Sequence, residues 1–392
     1  MIGARIRLAR QLAGLTQEGV ATALSLANVS ATKQAISNYE NGKREPSARV
    51  LLALAGLLGV RTDYFFYSPK TEINWLAYRG RSTLGEKIKH SIQGYAKDVA
   101  ALYIELRTLL YPNDAVNFPK RRAVLDVEAA ETAAQDLRAT WGLSPNHPIE
   151  NLTFTAESNG VIVIDWNKPT RLFDGLSGRL NDTVPITVVN TVRQVDRIRF
   201  NLAHELGHLL MSTTEDQSEK LAHRFAAALL VPAEVARYEL GRKRQRISLQ
   251  ELGTLKRRYG LSIQGWIYRA MDLGIISKAY ANSLWPQVNQ LGWKRKEPDE
   301  YAYVADEEPV LLEQMIQRCL KEQLVTGDRI RQVFPQYGKY DEPMVIAEGK
   351  FPSSREILAM PLGERERWIA KSIAEIDLKN YEMVDTVDED IL

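Results

Sequence analysis

The chain has 392 residues, 45% hydrophobic and 26% charged, a balance that suits a soluble protein with a sizeable core and two or three domains. Its one cysteine, Cys319, excludes an internal disulfide framework and fits a cytoplasmic location; the start "MIGARIRLARQ" has no signal-peptide core, and apolar runs such as "LLALAGLLGV" (51–60) are too short to span a bilayer. Net charge is only +2, but residues 1–70 hold nine Lys/Arg against four Asp/Glu, and the tail from Ser372 holds seven acids and one lysine. A basic head of this kind fits nucleic acid, and the acidic end is a solvated tail.

Residues 2–13 predict a first helix with Ile2, Ile6, Ala9 and Ala13 on one face. "TQEGVATAL" (16–24) follows with Thr16 as N-cap, and "TKQAISNYENG" (32–42) ends at a glycine suited to the C′ position. Then come "KREPS", a helix "ARVLLALAGLLG" and an aromatic turn "DYFF". Short helices in quick succession, basic overall, point to a helix-turn-helix module.

The landmarks "TQEGVA…AISNYENGKREPS…LLALAGLLGV…DYFF" occur in order over residues 3–67 and resemble the Cro/C1 (XRE) family of DNA-binding domains. The resemblance implies a double-stranded DNA operator, with the second helix of the pair entering the major groove by its N-terminal residues. Here these are Lys33, Gln34, Ser37 and Asn38, types that pair with base edges. Gln17 and Arg44 are placed for phosphates. "SLANVSATKQ" is longer than the family's tight turn, so its extra residues either shift the recognition helix or bulge outward. The plainer alternative for these residues is the solvated face of a small helical bundle.

"STLGEKIKHSIQGYAKDVAALYIELRTLLYP" (82–112) predicts a long helix stopped by Pro112. Ile88, Ile92, Tyr95, Val99, Leu102, Leu106 and Leu109 step by alternating fours and threes, a heptad seam. Two uses are open: pairing with a twin in a homodimer, or docking on the next domain. Residues 126–141 predict another amphipathic helix; "GVIVIDW" (160–166) and "VPITVVN" (184–190) read as strands separated by "FDGLSGRLND".

Asp196 is expected to cap a helix from about Arg197 to Met211. Around it, Arg197, Asn201, His204 and His208 share one arc and Leu202, Leu206, Leu209 and Leu210 the opposite one. Both imidazoles therefore point the same way, with Glu205 at the border of their face. Histidines at i and i+4 with a glutamate between them form the zincin arrangement: two ligands of Zn²⁺ and a base for its water. A third ligand is expected from "SEKLAHRFAAALLVP" (218–232), where Glu219, His223 and Ala226 share a stripe. Glu219 is the expected ligand and His223 a neighbour orienting it; the reverse assignment stays open. Asp216-x-x-Glu219 also fits a capping box, which would give Glu219 a purely structural task.

"ITVVN", "RFNLAHELGHLL" and "EKLAHRFAAALLVP" together resemble the ImmA/IrrE family of zinc metallopeptidases, over about residues 120–295. At His223 members often carry Asn or Asp. The resemblance implies Zn²⁺ held by His204, His208 and Glu219, with Glu205 taking the proton of the attacking water and passing it to the leaving amine. Arg197, Arg193 and Tyr238 are open candidates for the oxyanion, and strand 184–190 is expected to offer an edge to an extended substrate. Peptidases of this family act on DNA-bound repressors of the helix-turn-helix class.

The expected fold is mainly α with a small β-sheet. Residues 1–68 form a helix-turn-helix domain, 69–119 a helical linker and possible dimerisation helix, 120–298 an α+β zincin-like metallopeptidase domain, and 299–392 a helical accessory or sensing region with "EPVLLEQMIQRCLKEQLV" and "ERERWIAKSIAEI". The expected function is a cytoplasmic DNA-binding regulator whose zinc endopeptidase relieves repression by cleaving itself or a partner repressor. Two alternatives stand beside it: a non-proteolytic repressor using the zincin domain as a ligand or metal sensor, and a plain protease delivered to DNA by its head.

Overall fold

In the head, the computed structural model has α1 (Ile2–Leu12), α2 (Gln17–Leu26), α3 (Lys33–Glu40) and α4 (Ala48–Leu58), closed by a 3-10 turn at Thr62–Phe66. Thr16, Thr32 and Ser47 each accept a backbone N–H from the first turn of the helix they precede, satisfying donors that a helix start leaves orphaned. Gly42 follows α3 at φ +66°, a left-handed conformation that costs glycine little. The long α2–α3 connection turns inward: Val29 and Ala31 join the core of Ile6, Leu24, Ile36 and Leu54, and Arg49 donates to the Asn28 carbonyl at 3.0 Å. The described residues are 2–67, 71–77, 86–168, 170 and 173–334.

Beyond the head come β1 (Ile73–Ala77), α5 (Glu86–Leu110), β2 (Arg122–Ala123), α6 (Val127–Thr140), α7 (Leu152–Ser158), β3 (Ile162–Asp165), β4 (Gly175–Leu180) and β5 (Val184–Val189). They are followed by α8 (Val195–Leu210), β6 (Met211–Ser212), α9 (Ser218–Leu230), α10 (Ala233–Leu240), α11 (Leu249–Tyr259), α12 (Ile263–Asp272), α13 (Lys278–Gln290), α14 (Leu311–Lys321) and α15 (Gly327–Arg331). The main sheet has the order β1-β4-β5-β3, with β3 parallel to β5 and the other neighbours antiparallel; β2 and β6 pair separately. β4 lies inside the segment read as a separator, because Gly175 and Gly178 blank out half of its alternation. Left-handed Asn181 and Asp182 turn it into β5.

Two expectations need correction here. β5 offers no edge: β4 and β3 pair with its two sides, and the described sheet ends at β1 and β3. Asp196 does not cap α8 either. The N-cap is Gln194, without a side-chain bond, and Asp196 sits buried in the first turn, 3.3 Å from Lys256 Nζ. A partnered lysine from α11 outcompetes the helix end for this carboxylate.

Period-two alternation sorts the strand residues between two cores. Ile162, Ile164, Leu176, Leu180, Ile186 and Val188 share one with α5 and α14; Val163 and Val189 share the other with α6, α8 and α9. The heptad seam is spent in the first core. Ile92, Val99, Leu102 and Leu106 are buried there and Tyr95 packs at its rim, leaving Ile88 and Leu109 exposed at the ends. Of its two possible uses, docking on the chain's own sheet is the one displayed. "EPVLLEQMIQRCLKEQLV" becomes α14, whereas "ERERWIAKSIAEI" lies outside the described residues. The stretch before α14 is anchored by Glu307, fully buried with Arg199 of α8 and accepting the Leu152 and Thr153 N–H groups at the start of α7. Among the described residues no helix is long and apolar enough to cross a membrane.

Candidate metal centre and nucleic-acid interface

On α8 the leucines at 202, 206, 209 and 210 are buried, and the opposite arc descends from exposed Arg197 through half-buried Asn201 and His204 to buried His208. The arc thus sinks toward α9. Gly207 permits close approach between the helices: a Cβ there would lie 3.0 Å from the Phe225 ring. This packing carries Glu219, in the first turn of α9, to both imidazoles. Its N-cap is Gln217, so Asp216 lies outside the helix and no capping box forms.

His204 Nε2 and His208 Nε2 are 3.0 Å apart, Glu219 Oε2 is 3.4 Å from the first and Oε1 3.4 Å from the second. A tetrahedral site with ligand distances of about 2.0–2.1 Å has edges of about 3.3 Å. Among the described residues this is the group of three His, Cys, Asp or Glu side chains that could hold a metal ion, and its donor set of two imidazoles and a carboxylate suits Zn²⁺. Hydrogen bonding to His204 and His208 holds the Glu219 carboxyl well below the usual carboxylate range. Its facing groups thus favour the anion that a cation needs.

Around the three donors, Ser218 Oγ stands 3.4 Å from His208 Nδ1. His204 Nδ1 is buried without a hydrogen-bond partner among the described residues. His223 meets His204 by ring packing, with centroids 4.6 Å apart, and stacks on Phe200 at 5.7 Å. Although one side of this ring is open to solvent, desolvation on the other and the nearby His204 lower its pKa to about 4.

Glu205 turns toward the sheet. Ser177 Oγ donates to its Oε2 at 2.6 Å, with both residues buried, and a Cβ on Gly175 would come within 2.8 Å of its side chain. Ser177 is a residue that sequence reasoning missed, as is Ser218. The signal lay in "GLSGRL", where small residues occupy every position that faces α8 until Arg179. Asn190 sets this strand in place, donating to the Phe173 and Thr170 carbonyls at 2.7 and 3.0 Å. Of the oxyanion candidates, Arg197 pairs with Asp174 at 2.8 Å, Arg193 approaches the same carboxylate at 3.5 Å, and Tyr238 is 85% exposed.

In the head, Ile36, Tyr39 and Glu40 turn inward on α3, leaving Lys33 and Gln34 exposed and Ser37 and Asn38 half-buried. Lys33 lies 3.4 Å from Glu18, and the Gln34 amide donates to Asn38 Oδ1 at 3.3 Å. Arg44 is exposed. Gln17, expected at phosphate, instead donates to buried Glu40 at 2.7 Å, a carboxylate also held by Arg10. Arg5 is buried as well, over the Tyr64 ring and paired with Asp98 of α5. The head's formal charge therefore overstates its exposed charge.

Two family models match the chain: Helix-turn-helix over residues 6–65 and IrrE N-terminal-like domain over residues 166–271. Over 63 residues it is 41% identical to the "HTH-type transcriptional regulator ImmR" of Bacillus subtilis (strain 168), a match covering 16% of this chain and 46% of the relative. The chain thus spans about half the length of the curated relative it matches. No solved structure matches it. Gln34 and Asn38 fall within the first matched region, and Ser177, His204, Glu205, His208 and Glu219 within the second. The chain therefore carries an XRE-type helix-turn-helix domain at its N-terminus and an IrrE/ImmA-like, metallopeptidase-family domain behind it.

Proposed function

We propose that this chain is a DNA-binding transcription regulator whose zinc-dependent endopeptidase domain relieves repression by cleaving the chain itself or a partner repressor. The observation that carries the reading is the convergence of His204, His208 and Glu219 at 3.0–3.4 Å, with Glu205 held beside them by Ser177. The proposed division of labour assigns residues 1–68 to the operator, 69–119 to connection and possible dimerisation, 120–298 to the peptidase and 299–392 to an accessory role.

His204, His208 and Glu219 would hold Zn²⁺, which supplies Lewis acidity toward a peptide carbonyl and a water acidic enough to deprotonate near neutral pH. Glu205 takes a proton at its carboxylate and returns it to the leaving nitrogen, general acid–base work worth roughly 10²–10⁴-fold. Ser177 restricts the rotation of that carboxylate by donating to one oxygen, leaving the other for the proton. Ser218 stands at the far nitrogen of His208 and steadies its ring; His223, itself stacked on Phe200, does the same for His204 by tilted ring packing. Lys33, Gln34, Ser37 and Asn38 read base edges, and Arg44 meets phosphate.

Glu205→Gln tests the reading in the full chain. Cleavage of the chain or of its repressor partner is expected to be lost, along with induction, while zinc content and operator affinity are unchanged. Induction that survives this substitution would falsify the proteolytic reading. One observation favours the sensor alternative: β1 pairs with the side of β4 that β5 leaves open, so no free edge adjoins Glu205 on that strand.

A further inference from the structure

We infer that β1 is a cis-acting plug: residues 73–77 hold the outer edge of β4 closed, so that an extended polypeptide reaches the metal site only when β1 leaves. The inference rests on the peptidase reading and adds its control.

β4 is the strand through which the sheet reaches the base, because Gly175 and Ser177 both meet Glu205. One side of it pairs with β5 and the other with β1. β1 runs antiparallel, Ile73 opposite Leu180, Asn74 opposite Arg179 and Trp75 opposite Gly178. A bulge then puts Ala77 opposite Ser177, so the strand ends across from the residue that holds Glu205. A polypeptide adding antiparallel to this edge would take the same path, with the helix α8 closing the inner face.

The path also has a side-chain preference. Ile73 and Trp75 are half-buried against the sheet's α5-side core, whereas Glu72 and Asn74 are exposed. Gly178 makes room for the aromatic: a Cβ there would lie 3.0 Å from Trp75 Cε3 and 2.8 Å from the Asn74 carbonyl oxygen. The fitting partner is thus an extended segment with apolar side chains at alternate positions, the one nearer the metal site being large and aromatic. β1 itself meets that description, and it comes from a stretch of chain about a hundred residues before β4, its one sheet neighbour, with no hairpin joining the two. Such a strand is held by its own pairing and side chains, and bulges occur where pairing is terminated next to active sites. Peptide access then requires β1 to leave.

The test uses the full, zinc-loaded chain carrying Glu205→Gln, with fluorescein-labelled β-casein as a disordered polypeptide probe read by anisotropy. The Asn181 N–H donates to the Glu72 carbonyl, so Asn74 and Arg179, two residues further along each strand, form the next hydrogen-bonded pair. Asn74→Pro deletes that N–H and is expected to tighten casein binding about tenfold by releasing the edge. Ile73→Cys with Leu180→Cys places two thiols at a directly opposed pair; oxidation is expected to weaken binding about tenfold relative to the same protein reduced. An unlabelled peptide TEINWLAYR, the sequence of residues 71–79, displaces casein, and its tryptophan-to-glycine version displaces it less well. Equal casein affinity in the locked, reduced and proline forms, each with unchanged zinc content, overturns the inference. Cleavage is scored separately in chains that keep Glu205. Binding that responds to the lock without any cleavage sinks the peptidase reading alone; Glu205-dependent cleavage with binding indifferent to lock and proline sinks the docking inference alone.

Discussion

On α3, Lys33, Gln34, Ser37 and Asn38 come from one turn and a half of a single helix, whereas the candidate metal centre draws His204 and His208 from α8, Glu219 and Ser218 from α9 and Ser177 from β4. The first arrangement needs only helical periodicity and an inward-facing Ile36. The second depends on how closely α9 approaches α8, which Gly207 and Phe225 set by direct packing, and on a sheet that brings two small residues to Glu205. A recognition face assembled locally tolerates small displacements of its domain. A site with donors 3.0–3.4 Å apart does not.

The largest expected effect separates the two regions outright. Glu219→Ala should lower zinc affinity more than about 100-fold, beyond the usual cost of altering an outer partner, as measured by chelator competition. Operator affinity of the same protein should be unchanged; a parallel loss would show that head and centre are not energetically separate. Next in size is a pH effect that belongs to the sheet-bearing region alone. Burial pushes Glu157 of α7 up from its ordinary 4.5 to about 7, against the Val310 and Leu311 N–H groups that favour its anion. Both states are protonated below about 4.5; between there and about 7 the unfolded chain releases this proton while the folded one keeps it. Stability should therefore fall across that interval, by on the order of 3 kcal/mol. Glu157→Gln should flatten this part of the urea-unfolding profile, and an unchanged slope would count against it.

Ser177→Ala should reduce cleavage about 10–100-fold with zinc affinity preserved, because it frees the carboxylate of Glu205 without touching a ligand. Loss of zinc in that variant would instead make Ser177 a purely structural support of α8. The smallest effects lie on the head. Gln34→Ala should cost about 1–3 kcal/mol and relax preference at one base pair. Arg44→Ala should weaken all sequences alike and reduce the salt slope by about 1. Cleavage assays on peptide substrates should register neither change.

Much of the centre was legible because its signals are local. The i, i+4 spacing aims His204 and His208 the same way in any α-helix, and the stripe of Glu219 and His223 marks the next helix as their partner. Thr16 announced a helix start for the same reason. Signals failed where neighbours in space are distant in sequence. Asp196 looked like a cap until Lys256 of α11 claimed it. Gln17 looked free until Glu40 of α3 accepted its amide. β4 was hidden by its own glycines, and with it Ser177.

The heptad stripe of α5 shows the same division. Its spacing determined that one side of the helix would be buried, but only the folded chain decided that β3, β4, β5 and α14 bury it. Likewise, alternation marked 184–190 as a strand and could say nothing of its neighbours, since strand order depends on which backbone edges find partners after collapse. The sequence by itself determined most helices, the faces they bury and two of the three converging donors, with Glu219 expected as the third, because periodicity and capping act over a few residues. Tertiary structure alone decided donor spacing, the partner of Glu205 and the covering of β4 by β1, because each is a contact between segments that the chain's covalent order leaves far apart.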